Sequence, residues 1–143
     1  MEIIPNNAIA MKFSSNDITG YGVSIAALSQ IQVNATGVYN IAFSAQLRNG
    51  AGASTVDIWF RKNNLTDFSN SLRTFTIPAK GSGGVPGVFP ATISYDIQLS
   101  AGDYVQIMWC TPTTSVTLQY ANAGTNPTRP ARPSAILSVQ RFK

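Results

Sequence analysis

A chain of 143 residues is the size of a single domain, residues 1–143, with one core. Only 11% of it is charged against 44% hydrophobic, where about 25% charged is usual, so its surface is poor in solvating charge. The net charge of +4 lacks a clustered basic footprint, which argues against nucleic acid, and the absence of histidine excludes Ser–His–Asp catalysis and His-ligated zinc.

The N-terminal segment, residues 1–19, shows no basic stretch followed by a long apolar one, so no signal peptide is expected and synthesis in a host cytoplasm is. No window holds eighteen consecutive apolar residues, so no membrane span is expected either. Residues 9–13 read as a first strand and 16–20 as a turn. Residues 21–27 and 31–33 read as one or two strands broken near Ser29, followed by a turn over 34–37.

Residues 37–47 alternate strictly. Tyr39, Ile41, Phe43, Ala45 and Leu47 fall on one face; Val38, Asn40, Ala42, Ser44 and Gln46 fall on the other. Side chains on a strand alternate with period two, so this is a half-buried strand with its odd face in the core. The even face is small and uncharged until Arg48, which suits a surface covered by another chain.

The Asn49-Gly-Ala-Gly52 turn leads to a strand over 55–62, with Val56, Ile58 and Phe60 inward and Asp57, Trp59 and Arg61 outward. Asn63-Asn64 turns the chain, and residues 71–78 form another strand with Phe75 and Ile77 inward. Residues 79–90 are rich in Gly and Pro and read as a surface loop and a contact arm. Residues 92–99 alternate with Ile93, Tyr95, Ile97 and Leu99 inward. A turn at 100–103 precedes a strand over 103–111, with Val105, Ile107 and Trp109 on one face and Tyr104, Gln106, Met108 and Cys110 on the other. Val116, Leu118 and Tyr120 mark a further strand. Residues 121–133 carry three prolines and read as a long irregular loop, and a last strand runs over 134–142. Nine or ten short strands at even spacing predict an all-β sandwich or jelly roll.

Chemistry is sparse. The single Cys110 permits no intrachain disulfide and reads as a small buried hydrophobe. A carboxylate pair for glycoside cleavage would come from Glu2, Asp17, Asp57, Asp67, Asp96 and Asp103; Asp103 reads as a turn residue and Asp57 as an ion-pair partner. The Gly81–Gly87 loop does not lead from a strand into a helix, so it is no phosphate cradle. Asn34-Ala-Thr36 and Asn64-Leu-Thr66 match the glycosylation triplet and are discounted without a secretory signal. No enzyme activity, metal or cofactor is expected. After Asp103 no acidic residue occurs while Arg129, Arg132, Arg141 and Lys143 do, so the C-terminal part is locally basic.

Four segments together resemble the tumour necrosis factor and complement globular-head superfamily. They are Gly37-Val-Tyr39-Asn-Ile-Ala-Phe43, Val56-Asp-Ile-Trp-Phe-Arg-Lys-Asn63, Leu99-Ser-Ala-Gly-Asp103-Tyr-Val-Gln106 and Pro133-Ser-Ala-Ile-Leu-Ser-Val139. The resemblance covers residues 20–143 and departs at Ser44, where the family signature has an aromatic. It implies a ten-strand jelly roll assembling as a homotrimer, one sheet facing the threefold axis. That sheet is expected to hold the strands of residues 38–48, 103–111 and the last strand, so the trimer interface is expected at Asn40, Ala42, Ser44, Tyr104, Gln106 and Met108. Stand-alone, low-charge versions of the fold look like bacteriophage capsid cement or decoration trimers. The resemblance therefore implies a structural virion protein on the capsid surface, binding itself and the major capsid protein, with Arg129 and Arg132 as partner-binding anchors. The alternative is a receptor- or glycan-binding head of a phage fibre or tail, with Trp59 and Tyr21 stacking on sugar; a secreted bacterial adhesive or spore-surface protein is a third reading.

Overall fold

A computed structural model describes residues 5–17 and 19–143 of the chain; Glu2 and Ile18, in the expected N-terminal segment and first turn, lie outside the described residues. The strands are β1 (Ile9–Ala10), β2 (Val23–Ala26), β3 (Gln30–Val33), β4 (Gly37–Asn49), β5 (Ser54–Lys62), β6 (Thr66–Asp67), β7 (Arg73–Ile77), β8 (Gly87–Leu99), β9 (Tyr104–Cys110), β10 (Val116–Leu118), β11 (Gly124–Thr125), β12 (Thr128–Arg129) and β13 (Ala135–Arg141). Ser69–Ser71 and Ser82–Gly84 are single 3₁₀ turns. No helix among the described residues is long and apolar enough to cross a membrane.

Two antiparallel sheets face each other. The larger runs β2-β3-β9-β5-β6, with β1 also on β9 and β7 also on β5. The smaller has β4 at its centre, β8 along one side, and β13 and β10 in line along the other. The sequence reading puts the strand now seen as β9 in one sheet with β4 and β13; it lies in the other sheet, paired to β3, β1 and β5. Local alternation says which face of a strand is apolar and nothing about which distant strand it pairs with, hence the error.

The expected inward residues make the core. Tyr39, Ile41, Phe43, Ala45 and Leu47 of β4 meet Val56, Ile58 and Phe60 of β5 and Val105, Ile107 and Trp109 of β9, all buried. Phe60 stacks on Tyr95 with ring centroids 5.6 Å apart and takes the edge of Phe43 at 5.9 Å. Each such buried side chain contributes about 1.5–3 kcal/mol before chain entropy is subtracted. The residues that position the two outer faces are thus fixed by the pairing of the inner ones.

Two loops are shorter than their composition suggests. β8 begins at Gly87, so only the first part of the expected 79–90 arm is loop. Pro90 lies opposite Gln46 on β8, an edge strand among the described residues, where a missing N–H is tolerated. Gly87 is required there because a side chain would collide with the Pro78 carbonyl oxygen. The 121–133 segment is not irregular: β11 pairs with β12, and Ala121 and Arg132 exchange backbone hydrogen bonds of 3.0 and 2.8 Å, closing a narrow ribbon. Alternation cannot reveal strands of two residues.

Candidate functional site

The outer face of the smaller sheet is set by register. Gln140, Asn40 and Asp96 form one row across β13, β4 and β8; Ser138, Ala42 and Ser94 the next; Ile136, Ser44 and Thr92 a third. Gln46 with Pro90 and Arg48 with Val88 continue it. Charge on these rows is confined to Asp96 and Arg48. Asp96 is occupied locally, because Asn40 Nδ2 donates to its Oδ1 at 2.8 Å and to Ser94 Oγ at 2.9 Å. Ile136 is 57% exposed on this face.

Tyr104, Gln106 and Met108 do not join that surface. They point outward from β9, on the far side of the sandwich from Asn40, Ala42 and Ser44. The six expected interface residues therefore form two groups back to back. Met108 is also withdrawn: it sits between Ala10 and Trp59 in register and is only 5% exposed. Gln106 Nε2 donates to Ser29 Oγ at 2.9 Å, tying the β2–β3 turn to β9.

Arg129 and Arg132 both lie on the exposed ribbon, as the sequence expectation placed them together. Arg129 Nη1 donates to the Pro127 carbonyl at 3.1 Å, and its guanidinium lies over Gly124, where a side chain would displace it. Among the described residues neither arginine has a carboxylate within 4 Å; the ion pair present is Arg61–Asp67. The ribbon grows from β4 itself. Gln46 N–H donates to the Ser134 carbonyl and Gln119 N–H to the Gln46 carbonyl, both at 2.8 Å, so the arm leaves where β10 gives way to β13. Its base lies at the β10–β13 edge of the smaller sheet.

The outer face of the larger sheet holds the ion pair and more of the charge. Asp67 accepts from Arg61 Nε at 2.7 Å and from Trp59 Nε1 at 2.9 Å. The Arg61 hydrogen bond, aided by Trp59, holds the Asp67 carboxyl below the usual carboxylate range, which makes Asp67 a poor proton donor. Asp57 accepts from Thr74 Oγ1 at 2.6 Å and is a hydrogen-bond partner there, not the ion-pair partner that the sequence suggests. Burial, then the nearby Asp57 charge, raises the Cys110 thiol, so it is a weak nucleophile at neutral pH. Asp103 caps the turn as expected: Asn63 Nδ2 donates to it at 3.0 Å and the Ser100 N–H at 2.9 Å, and these bonds lower its pKa. Trp59 and Tyr21 do not converge, because β3 and β9 lie between β5 and the β2 edge that Tyr21 precedes.

Sequence reasoning missed a pocket on this face. Phe68 and Leu72, from the segment between β6 and β7, join Trp59, Asp57, Asp67 and Cys110 around a cavity of about 320 Å³. The outward Asp57-x-Trp59 pair was the available signal; the wall from the 68–72 segment was not, since it carries no periodicity. Comparison of the sequence with protein-family models and with curated proteins finds no match.

Proposed function

We propose that this chain is a structural virion protein, a homotrimeric jelly-roll cement or decoration protein that stabilises a capsid by binding several subunits of the major capsid protein. The observation that carries the reading is the outer face of β8-β4-β13, a three-strand-wide surface whose charge is limited to Asp96 and Arg48. Interface cores are depleted of charge in this way. The chain also crosses between the sheets at β3–β4, β4–β5, β7–β8, β8–β9 and β9–β10, with β7 staying beside β5, which is compatible with a jelly roll. The trimer contact is then centred on Asn40, Ala42 and Ser44 with Ser94 and Ser138, and Tyr104, Gln106 and Met108 are left out of it.

The ribbon gives the trimer its second function. Arg129 and Arg132 are exposed on a ribbon rooted at the edge of the smaller sheet and have no acidic partner within the described residues, which leaves them available to an acidic capsid surface. Three arms on one trimer sum modest contacts by multivalency. The test is co-sedimentation with pre-formed shells of a cognate major capsid protein. Retention through washing is expected, with Arg129→Glu/Arg132→Glu released; loss of the wild type from such shells contradicts the proposal.

The receptor- or glycan-binding head is second. Tyr21, 84% exposed, and Trp59 would have to act separately, since they occupy different parts of the larger sheet.

A further inference from the structure

We infer that the pocket beside Trp59 binds a cationic side chain, an arginine or lysine presented by a partner polypeptide. The inference is independent of the trimer, because the pocket opens on the opposite side of the sandwich from β4's outer face.

Three observations lead there. First, the walls are predominantly apolar: Trp59, Phe68 and Leu72 line an open depression, and Leu72 is itself exposed. A cavity of about 320 Å³ is at the small end of the range for ligand sites and suits a side chain better than a large ligand. Second, the charge is unbalanced. Two of the chain's six carboxylates line this one pocket in a protein of net charge +4. Asp67 is neutralised by Arg61, whereas Asp57 has no cation within 4 Å among the described residues. Thr74 Oγ1 satisfies only Asp57 Oδ1, which leaves Oδ2 as an acceptor. Third, the indole is held in place. Its N–H is committed to Asp67, which fixes the ring in one orientation at the pocket wall. A fixed indole next to an unpaired carboxylate is the arrangement that attracts a guanidinium or ammonium, through the ring quadrupole and a charge-assisted hydrogen bond together. The aliphatic stem of Arg or Lys would lie against Phe68 and Leu72.

The pocket carries its own reporter. Cys110 is the chain's single cysteine, is partly exposed and lines the cavity, so an occupant slows its reaction with a disulfide reagent. The probes are N-acetylarginine amide, its neutral isostere N-acetylcitrulline amide, and methyl mannoside, each titrated against the intact chain. The arginine probe is expected to protect Cys110 and to change Trp59 fluorescence, Trp109 being buried in the core. The citrulline probe should need about tenfold more, the scale of one charge-assisted contact. Asp57→Asn keeps the Thr74 hydrogen bond and should erase the difference between the two probes; Trp59→Phe should weaken both while the fold persists by circular dichroism. Equal protection by arginine and citrulline probes, protection by the mannoside alone, or no protection by any of the three overturns the inference.

Discussion

The two outer faces of this sandwich are built from strands of the same period and rest on the same core, yet their chemistry is opposite. On the larger sheet Asp57, Arg61 and Asp67 form a hydrogen-bonded polar surface around an apolar cavity. On the smaller sheet the rows through Asn40, Ala42 and Ser44 carry a single charge, Asp96 on the β8 side, among uncharged side chains. A strand needs only one apolar face to fold, so the composition of the other is set by what it meets. The charged face is suited to water and to a small cationic ligand. The face of lower charge is the one proposed above to meet copies of the chain.

The contrast can be broken most forcefully at Ala42. Ala42→Glu places an unpaired charge in the centre of the neutral face, and the proposed trimer is expected to give way to monomers by light scattering. The same charge at Gln106, on the opposite side, should leave the assembly intact. One residue away, Ile41 faces the core and is fully buried. Ile41→Ala should cost about 2–5 kcal/mol of subunit stability in denaturant titrations. The pair thus separates folding from assembly along a single strand.

Smaller effects belong to the polar side. The turn between β2 and β3 places Ala27 at φ 49° and Leu28 at φ 64°, in the left-handed region, and Leu28 is 55% exposed. Leu28→Gly relieves that strain without uncovering core and should gain about 0.5–1 kcal/mol in thermal unfolding, net of the added chain entropy. The smallest expected effect concerns acid. Asp67 titrates below its unfolded value, so its contribution is complete above the usual aspartate range and is lost as pH falls through the folded pKa. The Arg61–Asp67 pair is half-exposed on its Asp67 side and screened by solvent there, so its worth is under about 1 kcal/mol. Asp67→Asn should flatten the acid limb of a stability–pH profile by no more than that.

The sequence discloses the inside of this protein well and the arrangement of its strands poorly. Tyr39 through Leu47, Val56 through Phe60 and Val105 through Trp109 announce their buried faces by alternation, and each is buried as expected. Pairing across the chain has no such local signal, so β9 could be assigned its inward residues and still be placed in the wrong sheet. The same limit hid the β11–β12 ribbon and the start of β8, where Gly87 and Pro90 resemble loop residues but lie in register with Asn49 and Gln46. Of the site, Arg129 and Arg132 were legible as a basic pair, and Asn40, Ala42 and Ser44 as a neutral face. Met108 was not, because the covering of an outward side chain by Ala10 and Trp59 depends on a partner strand 98 residues away in the register Ala10↔Met108.

The central claim is that the neutral face of β8-β4-β13 is covered by copies of the chain. Its direct test is the mass of the wild-type protein in dilute buffer by light scattering coupled to size exclusion. The expected particle has three times the 15.3 kDa of one subunit. A particle of one subunit's mass would contradict it.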